Sequence, residues 1–464
     1  MTVTTTTTTT TTNSLNNINM TTKTFRFSQV EEGFSSKLGI FEKPKMDTAV
    51  LQHTKERIYP TTSVTQGGPI MFKIDPSVGY IDGVNTTLTM EVSIKHAATG
   101  KAVVSTDDVC LANLPIHTAF NQIVATVGGT EMNSEEGTMH GYKQMIDMLI
   151  FTSKEYKETV ATSAGYYPDG VGSVGTTSSI TATTTTTPAN PGAVLRHALT
   201  KDGGTTTFTA TLGLEWLENI QKYFVNGCTI YITLYQAPEK MRLIAKDDTV
   251  EYVMKIENIY LTACIVHVRP EVLIAHSEEF NSGKNALYAY PKTSMRSHVM
   301  PKGINSYDVT QILGDKVPNF LIVSMVSCES YAGKYSLNCY NFEHNDLSEI
   351  VLEIDNHAIP GRPFTPDISN KKYTAEYAEF QAATGNLGNG ISRDGYAKGH
   401  SLFVFNICHH VDVRDSIHPI IRKGHTRLCL KFKSNLAAST MLILYMRSSG
   451  FYQITQARNC IVEY

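Results

Sequence analysis

The hydrophobic pattern of this chain has a period of two over much of its length. Leu88, Met90, Val92 and Ile94 alternate with Thr89, Glu91, Ser93 and Lys95, and Ile230, Ile232 and Leu234 alternate with Tyr231, Thr233 and Tyr235. Ile350, Leu352 and Ile354 repeat the pattern, as do Leu428, Leu430 and Phe432. One apolar face per stretch predicts half-buried antiparallel strands. Residues 401–407 and 441–446 are apolar almost throughout and predict interior strands covered on both faces. Helical spacing is rare. Tyr142, Met145, Ile146 and Leu149 predict one helix within 139–152, with Glu135 and Glu136 at its N-terminal side. Residues 214–224, which carry the only tryptophan, Trp216, form a second candidate. Many strands, few helices and turns rich in Gly, Pro and Asn point to β-sandwiches or barrels.

A chain of 464 residues exceeds one ordinary core and predicts about two to four domains. Ala237-Pro238 closes one strand set and Lys246-Asp247-Asp248 is a charged break. This places a boundary at 245/246, between a first all-β domain over 25–245 and a second over 246–464. No internal repeat is visible. Two tracts make poor core. Residues 1–24, with unbroken threonine over 4–12, read as a disordered arm. Residues 161–206 contain Gly170-Val171-Gly172, a second threonine run over 183–187, Pro188 and Pro191. Threonine repeats offer no alternation to select a face or register. The tract therefore reads as an insertion between strands of the first domain, with 176–192 an exposed, mobile loop that takes little part in the core.

Apolar residues make up 41% and charged residues 18% of the chain, and the net charge is −3. A broad basic face for packing nucleic acid is not supported. None of the eight cysteines stands in a Cys-x-x-Cys pair, which removes zinc-finger and thioredoxin readings. As small core residues they fit a reducing, intracellular assembly site. Neither a secretory leader nor a run of ~20 apolar residues is evident. The sequons at Asn19 and Asn85 are accordingly read as unused.

Candidate chemistry is sparse. Cys408-His409-His410 with Asp412, Asp415 and His418 could hold a transition metal, as in cupin-type barrels. On a strand, however, His409 and His410 point to opposite faces. There is no Gly-x-Ser-x-Gly elbow and no phosphate-cradling Gly-Lys-Ser/Thr loop. Gly128-Gly129 reads as a hairpin turn. Gly388-Asn389-Gly390 reads as a tight connection needing positive φ. Pro360, Pro363 and Pro366 read as a rigid extended connection after the strand at 350–354, because proline cannot join a central ladder. No catalytic, cofactor-binding or metal-ligating residue is assigned.

Two tracts carry a family resemblance. One is Gly388-Asn389-Gly390-Ile391-Ser392-Arg393-Asp394-Gly395-Tyr396 with Lys398-Gly399-His400 and the strand that follows. The other runs from Asp308-Val309-Thr310 through Asn341-Phe342-Glu343-His344 to Ile359-Pro360, Arg362-Pro363 and Pro366-Asp367. Upstream, Tyr80-Ile81-Asp82 with Leu88 to Val92, Asn113-Leu114-Pro115-Ile116-His117-Thr118-Ala119-Phe120-Asn121-Gln122-Ile123, and Tyr260-Leu261 with Val268, Pro270 and Ala275-His276 add to it. The last group looks like the start of a second barrel. Over roughly 25–460, outside the threonine tracts and 161–206, the chain resembles major capsid proteins of Polinton (Maverick) elements and adintoviruses, in the double jelly-roll lineage of adenoviruses and tectiviruses.

The resemblance implies an all-β fold of two consecutive eight-stranded antiparallel jelly rolls with a few short helices. It also implies a structural, non-enzymatic role in an icosahedral virion, without a cofactor or specific nucleic-acid binding. The implied partners are two further copies in a homotrimer, neighbouring capsomers, and a single jelly-roll penton (minor capsid) protein; an internal membrane is left undecided. Two other readings stay open. One is a jelly-roll attachment or glycan-binding protein, for which Tyr166-Tyr167 and Phe451-Tyr452 are the aromatic pairs to place. The other is a cupin-like metalloenzyme built on the histidine cluster.

Overall fold

The computed structural model describes residues 48–76, 79–132, 139–177, 180–181, 190–218, 221–246, 248–383, 385, 388–408 and 419–463. The expected arm at 1–24 lies outside them.

Eight strands of the first half form two four-stranded antiparallel sheets, with a short pair, Val109–Leu111 and Leu243–Ala245, beside them. One sheet orders Val50–Ile58, Tyr252–Val268, Tyr80–His96 and Thr206–Ala210; the other orders Ile70–Ile74, Ile230–Gln236, Phe120–Val127 and Thr130–Glu131. Numbered along the chain, these orders are 1-8-3-6 and 2-7-4-5. Eight strands of the second half repeat them, leaving aside the pair Lys316–Val317 and Arg422–Lys423 and the strand Cys460–Glu463 added alongside Thr440–Ile454. Ala286–Met300, Thr440–Ile454, Phe320–Ser327 and Phe403–Asn406 make the second 1-8-3-6 sheet. Ser306–Thr310, Thr426–Phe432, Leu347–Ile354 and His357–Phe364 make the second 2-7-4-5 sheet. This order, in which the chain wraps two sheets at once, is the jelly roll. The repeat invisible in the residues is thus explicit in the topology.

The predicted alternation selects the faces. Leu88, Met90, Val92 and Ile94 are buried, as are Ile230, Ile232 and Leu234, whereas Tyr231 and Tyr235 are exposed. Ile350, Leu352, Leu428, Leu430 and Phe432 line the interior of the second barrel. The strands Tyr80–His96 and Tyr252–Val268 are each 17 residues long. At ~3.3 Å per residue they span roughly 55 Å. The two-residue link Gly128-Gly129 has φ of 54° and 86°. Positive φ at both central residues is what a tight hairpin with the native strand twist demands.

Four expectations are corrected. The charged break near 246 falls between the seventh and eighth strands of the first barrel, because Tyr252–Val268 pairs with both Val50–Ile58 and Tyr80–His96. A loop between strands uses the same polar residues as a linker between domains. Tyr260, Leu261 and Val268 therefore close the first barrel rather than open the second, and the helix Pro270–Asn281 carries the chain across. Residues 214–224 are not helical among those described. Gly213 adopts φ 71° and the Glu218 carboxylate takes the Leu214 N–H at 3.1 Å, which fixes a turn instead. The proline tract is itself a strand. Pro360 and Pro363 lie in His357–Phe364, at the sheet edge, where missing donors face no partner.

The fourth correction concerns 161–206. Helices form at Val160–Ala164 and Pro191–Thr200, the second capped by Asn190, which accepts from the Gly192 N–H at 3.2 Å. Tyr166, Val174, Ile180 and Ala193 are buried. Polar side chains do here what alternation does elsewhere. Asn113 donates from Nδ2 to the Tyr167 carbonyl at 2.8 Å and accepts the Tyr167 N–H at 3.0 Å. Arg196 is fully buried. It donates to the carbonyls of Leu111 (2.9 Å) and Tyr167 (3.1 Å) and pairs with Asp169 at 3.0 Å. The tract is inserted between Thr130–Glu131 and Thr206–Ala210, as expected, but is fitted into the first barrel; residues 178–179 and 182–189, most of the expected mobile loop at 176–192, lie outside those described.

Phe405 is buried inside the second barrel, its ring 5.4 Å from that of Phe364. Phe405→Ala is expected to destabilise that barrel by about 3–5 kcal/mol. A shift of the urea midpoint, followed by tyrosine fluorescence and far-UV circular dichroism, measures it; an unshifted midpoint would refute this placement.

Candidate functional site

The chemistry of this chain concentrates where its two barrels meet. The strands Phe320–Ser327 and Thr440–Ile454 are apolar on both faces. Leu321, Val323, Met325, Leu442, Leu444 and Met446 face the second barrel's own core. Phe320, Ile322, Val326, Met441, Ile443 and Tyr445 face outward and join the apolar cluster of the first barrel. The predicted helix, His140–Ile150, supplies part of the cover, with Tyr142, Met145, Ile146 and Leu149 all buried. Tyr142 stacks on Tyr331 at 5.7 Å and tilts against Tyr340 at 5.1 Å. Phe151 meets Phe320 at 5.7 Å.

A polar knot crosses this apolar seam. The Tyr445 hydroxyl donates to Asp147 at 2.6 Å. Arg447 donates to the Tyr445 oxygen at 2.8 Å and reaches Asp147 at 3.3 Å, with its guanidinium 4.0 Å from the Phe151 ring centre. Burial pushes the Asp147 carboxyl up, and the Arg447 and Lys143 charges oppose that push. Nearby, Lys143 pairs with Glu215 at 3.4 Å, and Glu215 accepts the Thr293 N–H of the second barrel at 2.9 Å. Trp216 packs edge-on against Tyr452, whose hydroxyl donates to the Trp216 carbonyl at 3.0 Å.

The Gly388–Tyr396 tract forms another part of the seam. Gly388 and Gly390 have φ of 65° and 78°, as expected of a tight connection. Ser392 caps the helix Arg393–Ala397 by accepting the Gly395 N–H at 3.1 Å. Buried Tyr396 donates to the Leu402 carbonyl at 3.1 Å, just ahead of the core strand Phe403–Asn406. Arg393 braces the same loop, lying 4.9 Å from the Tyr373 ring centre. From the first barrel, buried Lys157 donates to the carbonyls of Leu149 (2.9 Å) and Asn389 (2.7 Å). Burial pulls its ammonium down to about 7. The 161–206 tract also reaches across: Asn338 donates to the Val174 carbonyl at 2.8 Å and Thr177 to the Ser336 carbonyl at 3.1 Å.

Of the other residues singled out in the sequence, His409, His410, Asp412, Asp415 and His418 lie outside the described residues, and Cys408 is half-buried. Tyr166 and Tyr452 are buried, and Tyr167 and Phe451 partly so, so neither aromatic pair forms an exposed tip. All eight cysteines are unpaired. Asp147, Lys157 and Arg447 escaped the sequence reading. The available signal was Arg447 directly after the apolar run 441–446, where a charge needs a partner.

No family model matches this chain. A protein of Caenorhabditis elegans described as uncharacterized, F54H12.2, is 21% identical over 372 residues, which is 76% of this chain and 82% of that protein. Solved structures correspond to it nearly end to end. A chain of the Sputnik virophage superposes with a TM-score of 0.62 at 10% identity, covering 94% of this chain and 93% of its own. The fold is a double jelly roll. The mavirus major capsid protein (TM-score 0.53, 10% identity, 98% of this chain and 96% of that one) and the faustovirus major capsid protein (0.51, 10%, 89% and 92%) share it. At such low identity the correspondence is one of fold, carried by strand order and length.

The double jelly roll holds a buried histidine pair in its first barrel. His117 Nδ1 and His140 Nε2 are 3.3 Å apart. Burial, with the Lys143 charge behind it, lowers His117 to about 3, and burial, His117 and Lys143 hold His140 well below its ordinary value. Both rings are neutral when folded, whereas in the unfolded chain they titrate near 6.5. Their contribution is therefore complete above about pH 6.5 and is lost as pH falls below it. For His117 alone the loss is about 2 kcal/mol at pH 5. The urea midpoint should fall between pH 7 and pH 5, and His117→Asn with His140→Asn should flatten that slope; an equal slope in the double variant would refute the assignment.

Proposed function

We propose that this chain is a structural major capsid protein of the Polinton (Maverick)/adintovirus type, three copies of which form a pseudo-hexagonal capsomer of an icosahedral shell. The observation that carries this reading is the repeat of one jelly-roll strand order across the whole chain, the two copies fused by a seam of apolar faces. A chain built this way supplies two similar upright units, and three chains supply six, the outline needed to tile a flat facet. The end-to-end correspondence with viral capsid proteins supports the same reading.

The mechanism is burial and shape. Contacts between unlike faces of identical copies close into a ring around a threefold axis. Obligate contacts of this kind bury about 2,000–5,000 Å². Weaker lateral contacts join capsomers and let errors be corrected. In this reading the chain resides in the virion, assembled inside the host cell, with neighbouring capsomers and a single jelly-roll penton protein as partners. The attachment reading loses its motivation, because neither aromatic pair forms an exposed tip.

Native mass spectrometry of the full chain at micromolar concentration should show three copies, and negative-stain images should show hexagonal particles. A strict monomer across salt and pH would overturn the capsomer.

A further inference from the structure

Three neighbouring strands of the first barrel's 1-8-3-6 sheet bring a histidine, a cysteine and an aspartate together on one face. Cys264, on Tyr252–Val268, stands opposite Lys55 of the edge strand Val50–Ile58 and opposite Asp82 of Tyr80–His96. Residues directly opposite in a ladder share a face, and His53, two residues from Lys55, lies on that face one step along the diagonal. The result is compact. One ligand-type atom each of His53, Asp82 and Cys264 lies within 4.8 Å of the other two, and His53 Nδ1 is 3.9 Å from Cys264 Sγ. A tetrahedral ion with bonds near 2.3 Å to sulfur and 2.0 Å to nitrogen needs these two atoms about 3.5 Å apart. For this pair the required closure is a few tenths of an ångström; Asp82 lies within 4.8 Å of both, and His53 is exposed on the edge strand.

The surroundings resemble a supported site rather than a chance meeting. The ladder between Tyr252–Val268 and Tyr80–His96 breaks at this point, with the register jumping between Thr262 and Cys264. Such bulges re-aim side chains. Asp82 builds it: its carboxylate accepts the Asn85 N–H at 3.2 Å and Asn85 Nδ2 at 2.8 Å, and its carbonyl accepts the Thr86 hydroxyl at 2.7 Å. The same hydroxyl oxygen takes the Cys264 N–H at 3.2 Å. Asn85 thus holds the Asp82 carboxylate, as outer-layer groups hold metal ligands, and Thr86 ties the Asp82 and Cys264 backbones together. Asp82 and Cys264 are buried, and His53 is open to solvent, which provides an entry path.

We propose that His53, Asp82 and Cys264 bind a borderline-soft divalent cation, zinc being the best match, with water in the fourth position. A thiolate and an imidazole disfavour magnesium and calcium, which take oxygen ligands. On binding, the thiol proton leaves to solvent and the cation takes its place, with Lys55 beside the developing thiolate. The cation would clamp an edge strand that otherwise buries little: most residues of Val50–Ile58 are exposed, and the ladder carries most of its attachment.

The test uses the full chain and cobalt(II) as a spectroscopic stand-in. Titration should give one cobalt per chain, with a thiolate-to-cobalt charge-transfer band and the visible bands of a four-coordinate ion; zinc should displace it. Cys264→Ser should abolish the charge-transfer band. His53→Ala, at an exposed position that leaves the fold undisturbed, should weaken binding at least roughly tenfold, as should Asn85→Ala. Circular dichroism checks that each variant is folded. Absence of a thiolate band in the wild type would overturn the proposal. So would its persistence in Cys264→Ser, or its loss in Cys408→Ser instead.

Discussion

The structure depends on one sheet being wet on neither side. In most antiparallel sandwiches each sheet turns one face to the core and one to water. Here the second barrel's 1-8-3-6 sheet has Leu321, Leu442 and Leu444 on one face and Phe320, Ile322 and Ile443 on the other, and all are buried. The outer face has no solution in the second barrel alone. It must be covered, and the first barrel covers it with the helix His140–Ile150, Phe151 and Trp216. The two barrels are consequently one folding problem.

Such a seam could slide, since apolar contact is non-directional. The Asp147–Tyr445–Arg447 knot, Glu215 on Thr293, and Lys157 on the Asn389 carbonyl supply direction. Burying these charges costs desolvation, and removing one partner of such a pair commonly costs about 3–5 kcal/mol because the other is left unpaired. Their contribution is register more than net stability. The 161–206 tract serves the same end, threading buried Arg196 under the first barrel and touching Asn338 and Ser336 of the second.

Most of the sheet structure was legible in the residues. Strands such as 88–94, 230–234 and 428–432 carry their faces in a two-residue period, and the doubly apolar 441–446 announced a sheet covered twice. The helix at 140–150 was visible because its spacing differs from everything around it. What failed was punctuation. Lys246-Asp247-Asp248 is as polar as a domain linker, and only the pairing of Tyr252–Val268 shows that the barrel has yet to close. The 161–206 tract misled because its order comes from Asn113, Asn190 and Arg196, whose hydrogen bonds leave no periodic trace. The seam's charges were missed for the same reason: Asp147 and Arg447 are 300 residues apart in the chain.

The outer edges of the sheets bear on how copies meet. Pro360 and Pro363 remove N–H donors from the edge strand His357–Phe364, and the edges at Thr206–Ala210, Ser306–Thr310 and Phe403–Asn406 are only four or five residues long. Short or proline-bearing edges offer a poor template for a strand of another molecule. The nine-residue edge Val50–Ile58 has no proline and is blunted instead by the charges of Lys55, Glu56 and Arg57. In the capsomer proposed above, contacts between copies would accordingly run through side chains and loops and not through shared ladders.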